Sequence, residues 1–216
     1  MTWTEFLAGL PLIAILRGVR PEEAADIGLA LYEAGFRCVE VPLNSPLPLQ
    51  SIAALARSLD DRMLIGAGTV LRAGSVAEIA DAGGRLVVSP NTDEEVIAAT
   101  RKAGLTSLPA FLSPTEAFAA VKAGAHGLKL FPAEAASPSV LKAVKAVLPK
   151  EIPVFPVGGV DPHSLGPYLA AGAAGFGVGS AVYRPGHSAE QTHRAAAAFV
   201  AAWREATTPT PTAVSA

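Results

Sequence analysis

The sequence predicts an α/β fold of the TIM (β/α)8 barrel class, and three observations carry that expectation. Short apolar runs suited to buried parallel strands recur about every 20 to 26 residues. An Ala-rich segment with helical spacing follows each run, and the count of such units is eight. An open doubly wound sheet is the alternative, but it would lack the even count and the closing eighth unit.

The expected strands are 12–17, 38–43, 63–69, 85–89, 106–110, 127–131, 154–158 and 174–179. A short N-terminal helix is expected ahead of the first. Between the strands, helix starts are marked by Pro21 with Glu22 and Glu23, by Asp93 before Glu94-Glu95, and by Ser113-Pro114-Thr115-Glu116. Helix ends are marked by Ala-Gly pairs at Ala34-Gly35, Ala103-Gly104, Ala123-Gly124 and Ala171-Gly172, where glycine takes the left-handed conformation that closes a helix. No linker or shift of composition divides the chain, so one barrel domain is expected over 1–206. The segment 207–216, rich in Thr, Pro and Ala and without periodicity, is expected to be a disordered tail.

With 216 residues, half of them hydrophobic, the chain is long enough to bury about 70% of its unfolded surface around one core. Net charge is -2 and the charges are scattered, so no basic stripe recruits nucleic acid and no polybasic tract holds a membrane surface. The partner is expected to be a small molecule. The N-terminus has no basic region leading into an apolar one, and no apolar run approaches about 18 residues, so a cytoplasmic location is expected. Cys38 is the only cysteine, which excludes internal disulfides and thiolate metal cages; it reads as a core thiol.

Active sites of such barrels lie at the C-terminal ends of the strands. Polar groups recur there. Lys129 sits inside the apolar run Leu128-Lys129-Leu130-Phe131-Pro132, where an ammonium is costly unless it is paired or neutralised. A neutral lysine is a nucleophile for ketones. Glu40, between Val39 and Val41, is a candidate general acid/base, because burial of its carboxylate must be compensated by a cation such as Lys129 or Arg17. Arg17 closes the first strand and Thr69 the third. Two plain alternatives stay open: Glu40 and Lys129 pair as a structural bridge, or each snorkels to a rim. Arg17 by itself reads as an exposed residue at a strand end. Convergence of the set in one barrel mouth favours the chemical reading.

The last two strands end in Val157-Gly158-Gly159-Val160 and Gly177-Val178-Gly179-Ser180. Glycine loops at these two positions of a barrel expose backbone N–H groups to phosphate, although either alone is also a tight turn. Gly175-x-Gly-x-Gly is not a dinucleotide fingerprint, since no βαβ unit and acidic residue follow it. Histidines 126, 163, 187 and 193 have no metal-ligand spacing, and His126 reads as a rim residue. Glu134 reads as a solvated residue near a helix start.

Taken in order, Leu12-Ile13-Ala14-Ile15-Leu16-Arg17-Gly18, Val39-Glu40-Val41-Pro42-Leu43-Asn44-Ser45-Pro46, Gly66-Ala67-Gly68-Thr69-Val70, Ser89-Pro90-Asn91, Leu128-Lys129-Leu130-Phe131-Pro132 and Val157-Gly158-Gly159-Val160 resemble the keto-deoxy-phosphogluconate/galactonate aldolase family. Everything but the tail is covered. Asn44 and Val157 make the chain most similar to the galactonate branch. The resemblance implies a class I, metal-free aldolase without a cofactor, with Lys129 as the Schiff-base lysine and Glu40 as the proton-transfer residue. It also implies that Arg17 and Thr69 hold the carboxylate end of the substrate, and that Gly158, Gly159, Gly179 and Ser180 bind its phosphate. The implied substrate is 2-dehydro-3-deoxy-6-phosphogalactonate, with the phosphogluconate epimer as the alternative, and the implied assembly is a homotrimer. One departure stands out. Pro109-Ala110 and Phe111 replace the family's Pro-Gly at the end of the fifth strand, and they are expected to narrow the pocket.

Two readings from other classes use the same residues. An isomerase or epimerase would employ Glu40 as enolising base and Lys129 as a charge, without an imine, and a phosphosugar sensor would use the glycine loops alone.

Overall fold

The computed structural model describes residues 1–208, and all eight expected strands are present. Helix α1 (Trp3–Ala8) comes first, followed by β1 (Leu12–Ile15), α2 (Pro21–Ala34), β2 (Cys38–Pro42), α3 (Pro48–Leu59), β3 (Leu64–Gly68), α4 (Ser75–Asp81), β4 (Leu86–Val88) and α5 (Glu94–Lys102). The second half runs β5 (Thr106–Leu108), β6 (Ala110–Phe111), α6 (Pro114–Lys122), β7 (Leu128–Leu130), α7 (Pro138–Lys145), β8 (Val154–Pro156), α8 (Leu165–Ala170), β9 (Phe176–Val178) and α9 (Ala189–Thr207). Segments β5 and β6 are one barrel strand broken at Pro109, which has no N–H for the ladder. The Pro109 carbonyl still accepts a hydrogen bond from Lys129 N at 2.9 Å.

All pairings are parallel, in the orders β5-β4-β3-β2-β1-β9 and β6-β7-β8. The chain crosses from one group to the other at Pro109, and a bridge between Val157 and Gly177 closes the other seam. The sheet is therefore closed on itself, as the count of eight units predicts.

The expected helix signals act as caps. Asp93 accepts from Glu95 N and Val96 N, Ser113 and Glu116 form a reciprocal capping box, and Gly35 ends α2 in the left-handed region. A second box, Thr2 with Glu5, starts α1. Helix α9 extends to Thr207, one residue into the segment expected to be a tail; residues 209–216 of that segment lie outside the described residues. Among the described residues no helix is long and apolar enough to cross a membrane.

Strand alternation sorts the side chains into two layers. Leu12, Ala14, Val39, Val41, Leu128 and Leu130 face outward into the core beneath the helices. Ile13, Cys38, Leu64, Leu86, Leu108 and Phe155 face inward and fill the lower half of the barrel. Helix α1 plugs that end: Phe6 is fully buried and stacks on Phe155 at 6.3 Å, with Trp3 5.6 Å from the same ring. Cys38 is a buried free thiol in this layer, as expected. An apolar floor and a closed lower end leave the strands' C-terminal ends as the place where polar groups meet solvent.

Phe6→Ala is expected to cost about 3–5 kcal/mol of folding stability, because it empties the plug without relaxing the strands around it. Urea unfolding of the variant against the parent measures this, and a loss below about 1 kcal/mol would show that α1 does not hold the barrel floor.

Candidate active site

The strand period that places Cys38 inward places Glu40 inward too, one layer higher. Glu40 is in register with Ile15 on one side and Gly66 on the other, and it is 2% exposed. Room for its carboxyl comes from Gly68, where any side chain would overlap the Glu40 carboxyl oxygens. Oε2 of Glu40 is buried with no hydrogen-bond partner. Burial pushes the Glu40 pKa up to about 7, against the lowering influence of Lys129 and then Arg17.

Lys129 occupies the middle of β7, between Ala110 and Phe155 in register, and is 6% exposed. Its Nζ lies 4.5 Å from the centroid of the Phe131 ring. Burial lowers its pKa, Glu40 opposes that shift, and Arg17 adds to it. No ion pair within 4 Å joins Glu40 and Lys129 among the described residues. The bridge and the snorkelling alternatives are therefore both absent from the structure: the two ionisable groups are buried and influence each other's charge with no ion pair between them.

Above them opens a cavity of about 410 Å³. Lys129, Arg17, Gly158, Gly159, Gly179 and Ser180 all line it. Glu40 lies beneath rather than on its wall. Thr69 follows Gly68 at the end of β3, in a left-handed backbone conformation (φ 55°) uncommon outside glycine, and it is not part of the cavity lining. The Asn44-Ser45 pair has a physical role in the loops. Asn44 Oδ1 accepts from Arg17 Nη1 at 2.8 Å, and Ser45 Oγ accepts from Gly18 N at 2.9 Å, which fastens the loop after β1 to the loop after β2.

Phe111 does not narrow the pocket, because its ring is buried in the outer core. Ala110 is buried beside Lys129 in register and is not part of the cavity lining. Alternation explains the correction, since Phe111 is one residue out of step with the inward positions 108 and 110. His126 precedes β7, and its Nδ1 accepts from Ser107 N at 3.0 Å, below the mouth.

Three cavity residues with polar side chains are missing from the sequence-based set. Glu134, expected to be merely solvated, lines the cavity from the turn Ala133–Ala135, with its side chain across Gly158 and Gly159. A Cβ added at Gly159 would come 2.6 Å from Glu134 Cγ, so this approach also demands glycine. Tyr183 and Arg184 join the lining from the loop after β9. Their only sequence signal is that they follow the second glycine loop. Among the described residues no cluster of three His, Cys, Asp or Glu side chains is arranged to hold a metal ion.

The arrangement combines an amine driven toward neutrality, a carboxyl poised near pH 7, an arginine, and glycine turns around one cavity. Such a site suits carbonyl chemistry on a small anion.

Comparison with known proteins gives the same direction. A family model described as "KDPG and KHG aldolase" matches residues 4–196. The chain is 52% identical over 198 residues to the 2-dehydro-3-deoxy-6-phosphogalactonate aldolase of Escherichia coli K12, covering 91% of this chain and 96% of that protein. It is 47% identical to a probable 2-dehydro-3-deoxy-6-phosphogalactonate aldolase of Rhizobium meliloti 1021, covering 89% and 91%. A solved structure titled "Native KDPGal structure" superposes with a TM-score of 0.90 at 51% identity, over 91% of this chain and 96% of that one.

A raised carboxyl pKa has a signature in stability. The Glu40 carboxyl titrates near 4.5 when unfolded and at about 7 when folded, so between those values the folded state holds the extra proton. Stability conferred at Glu40 therefore falls as pH rises from about 4.5 to about 7 and levels off above. Glu40→Gln removes that dependence. Relative to the parent, the variant is expected to gain about 3 kcal/mol of unfolding free energy across this window, measured by urea titration at a series of pH values. A constant difference would mean that Glu40 titrates as an ordinary carboxyl.

Proposed function

The chain belongs to the KDPG and KHG aldolase family and is an aldolase, a carbon–carbon lyase, of the 2-dehydro-3-deoxy-6-phosphogalactonate type; from that premise we propose how its residues divide the work. The observation that supports the division is the burial of both Lys129 and Glu40 inside the barrel with no ion pair between them, Lys129 lining the cavity and Glu40 lying outside its lining.

Lys129 is the imine-forming nucleophile. Burial keeps a fraction of its amine neutral, and Nζ attacks the C2 ketone; the carbinolamine formed loses water to leave an iminium. Glu40, ionised, accepts the proton of the C4 hydroxyl. The C4 oxygen forms a carbonyl, the C3–C4 bond breaks, and its electron pair neutralises the iminium to an enamine. D-Glyceraldehyde 3-phosphate departs. Glu40 returns the proton to C3, and water releases pyruvate and restores the Lys129 amine. A carboxyl near pKa 7 serves both directions of transfer at neutral pH.

Arg17, on the cavity lining and steadied by Asn44, holds the carboxylate end; Thr69, implied for the same role by the family resemblance, stands at the end of β3 outside that lining. Gly158, Gly159, Gly179 and Ser180 receive the phosphate through backbone N–H groups and a hydroxyl. We further infer a cytoplasmic homotrimer acting in galactonate catabolism. Exposed Leu47, Leu71, Leu112 and Phe118 are the local support for the assembly.

Borohydride reduction in the presence of pyruvate, read by mass spectrometry of peptides, is expected to leave a reduced pyruvate adduct on Lys129. No adduct would overturn the imine reading and favour an isomerase or a sensor. In steady-state assays Glu40→Gln is expected to lower kcat by about 10²- to 10⁴-fold with a smaller change in KM. Unchanged turnover would remove Glu40 from proton transfer. Running the galactonate and gluconate epimers in parallel tests the branch.

A further inference from the structure

The loop after β9 brings a second arginine to the cavity. Arg184 shares the wall with Gly158, Gly159, Gly179 and Ser180. Its Nε donates to the Ser180 carbonyl at 2.9 Å, which fixes the guanidinium against the phosphate loop itself. The remaining fork is free: among the described residues no protein acceptor meets Nη1 or Nη2, and the side chain is exposed. Four N–H donors are therefore available in a plane suited to two phosphate oxygens.

The loop is held from behind. Tyr183 is buried, and its hydroxyl donates to Glu23 Oε1 at 3.0 Å, so the residue before Arg184 is tied to the first turn of α2. The charge balance of this wall also needs a cation. Backbone N–H groups of the glycine turns donate hydrogen bonds but carry no net charge, and Glu134 lays a carboxylate across Gly158 and Gly159. Arg17 lines the same cavity, with Nη1 donating to Asn44 Oδ1, but Arg184 is the cation carried by the loop that follows Gly179 and Ser180 and hydrogen-bonded to that loop. With Glu134 lining the cavity, a phosphate of charge about -2 gains from a cation held at this loop.

We propose that Arg184 is the cation that recognises the terminal phosphate and makes the enzyme prefer phosphorylated keto acids. This rests on the aldolase reading above. It assigns to this wall a substrate-binding side chain in addition to the glycine loops.

The test compares Arg184→Gln, Arg184→Lys and the parent in two assays. Arg184→Gln is expected to raise KM for 2-dehydro-3-deoxy-6-phosphogalactonate about 10- to 100-fold with kcat little changed. Exchange of the pyruvate methyl hydrogens with deuterium oxide, a reaction of the Lys129 enamine that involves no phosphate, is expected to stay at the parent rate. Arg184→Lys keeps the charge without the fork and is expected to restore part of the affinity. An unchanged KM overturns the proposal, and so does loss of pyruvate exchange in step with loss on the phosphorylated substrate, which would mark Arg184 as merely structural. Absence of exchange in the parent would strike the imine reading instead.

Discussion

Everything about this site depends on one constraint: a carboxyl and an amine are enclosed in the same barrel with no ion pair between them. In contact they would form a buried ion pair with both charges fixed, and neither group would exchange protons readily near neutrality. Separated, each bears its own desolvation, which pushes the carboxyl up and the amine down toward the same range. Their mutual attraction opposes both shifts, and burial outweighs it. Two groups whose ordinary pKa values lie about six units apart are thereby moved toward each other.

The fold supplies the separation through register and glycine. Period-two alternation puts positions 38 and 40 of β2 on the barrel interior, with an apolar layer below and a reactive layer above. Gly68 then vacates the volume that the Glu40 carboxyl fills, and Gly158 and Gly159 do the same beneath Glu134. Those glycines are therefore spatial requirements of neighbouring carboxylates as well as turn formers. Helix α1 closes the lower end with Phe6 and Trp3, so that solvent approaches from the mouth alone.

Much of this was legible in the chain. Strands buried on both faces must read as unbroken apolar runs, so a lysine or glutamate inside such a run is visible against its background, and both reach the interior. Arg17 and the glycine pairs were legible because they close strands, and strand ends are where a barrel places its site. What escaped were side chains whose role depends on a loop path. Tyr183, Arg184 and Glu134 stand in segments with no periodic signal, and their positions follow from a hydrogen bond to α2 and from the turn after Pro132. Phe111 was misplaced because its direction depends on counting parity through Pro109, where the strand breaks. Thr69 was legible as a strand-end residue, but its left-handed backbone was not.

In the mechanism proposed above, the coupling between the two buried groups also sets the order of the steps. Positive charge on the Lys129 nitrogen lowers the proton affinity of Glu40. In that proposal the iminium charge cannot be lost by deprotonation, so Glu40 is driven into its ionised form, the base that C4 deprotonation requires. Cleavage neutralises the nitrogen to an enamine, and the carboxyl regains the affinity that burial alone would give it, so it keeps the proton while the aldehyde departs. Protonation of the enamine at C3 restores the iminium and the low affinity with it, which favours delivery of that proton from Glu40. Each change of charge on nitrogen thus sets the state that the carboxyl needs for the next step, through space and with no hydrogen bond between them. A direct ion pair would hold Glu40 ionised throughout and remove its ability to carry the proton across the interval between cleavage and release.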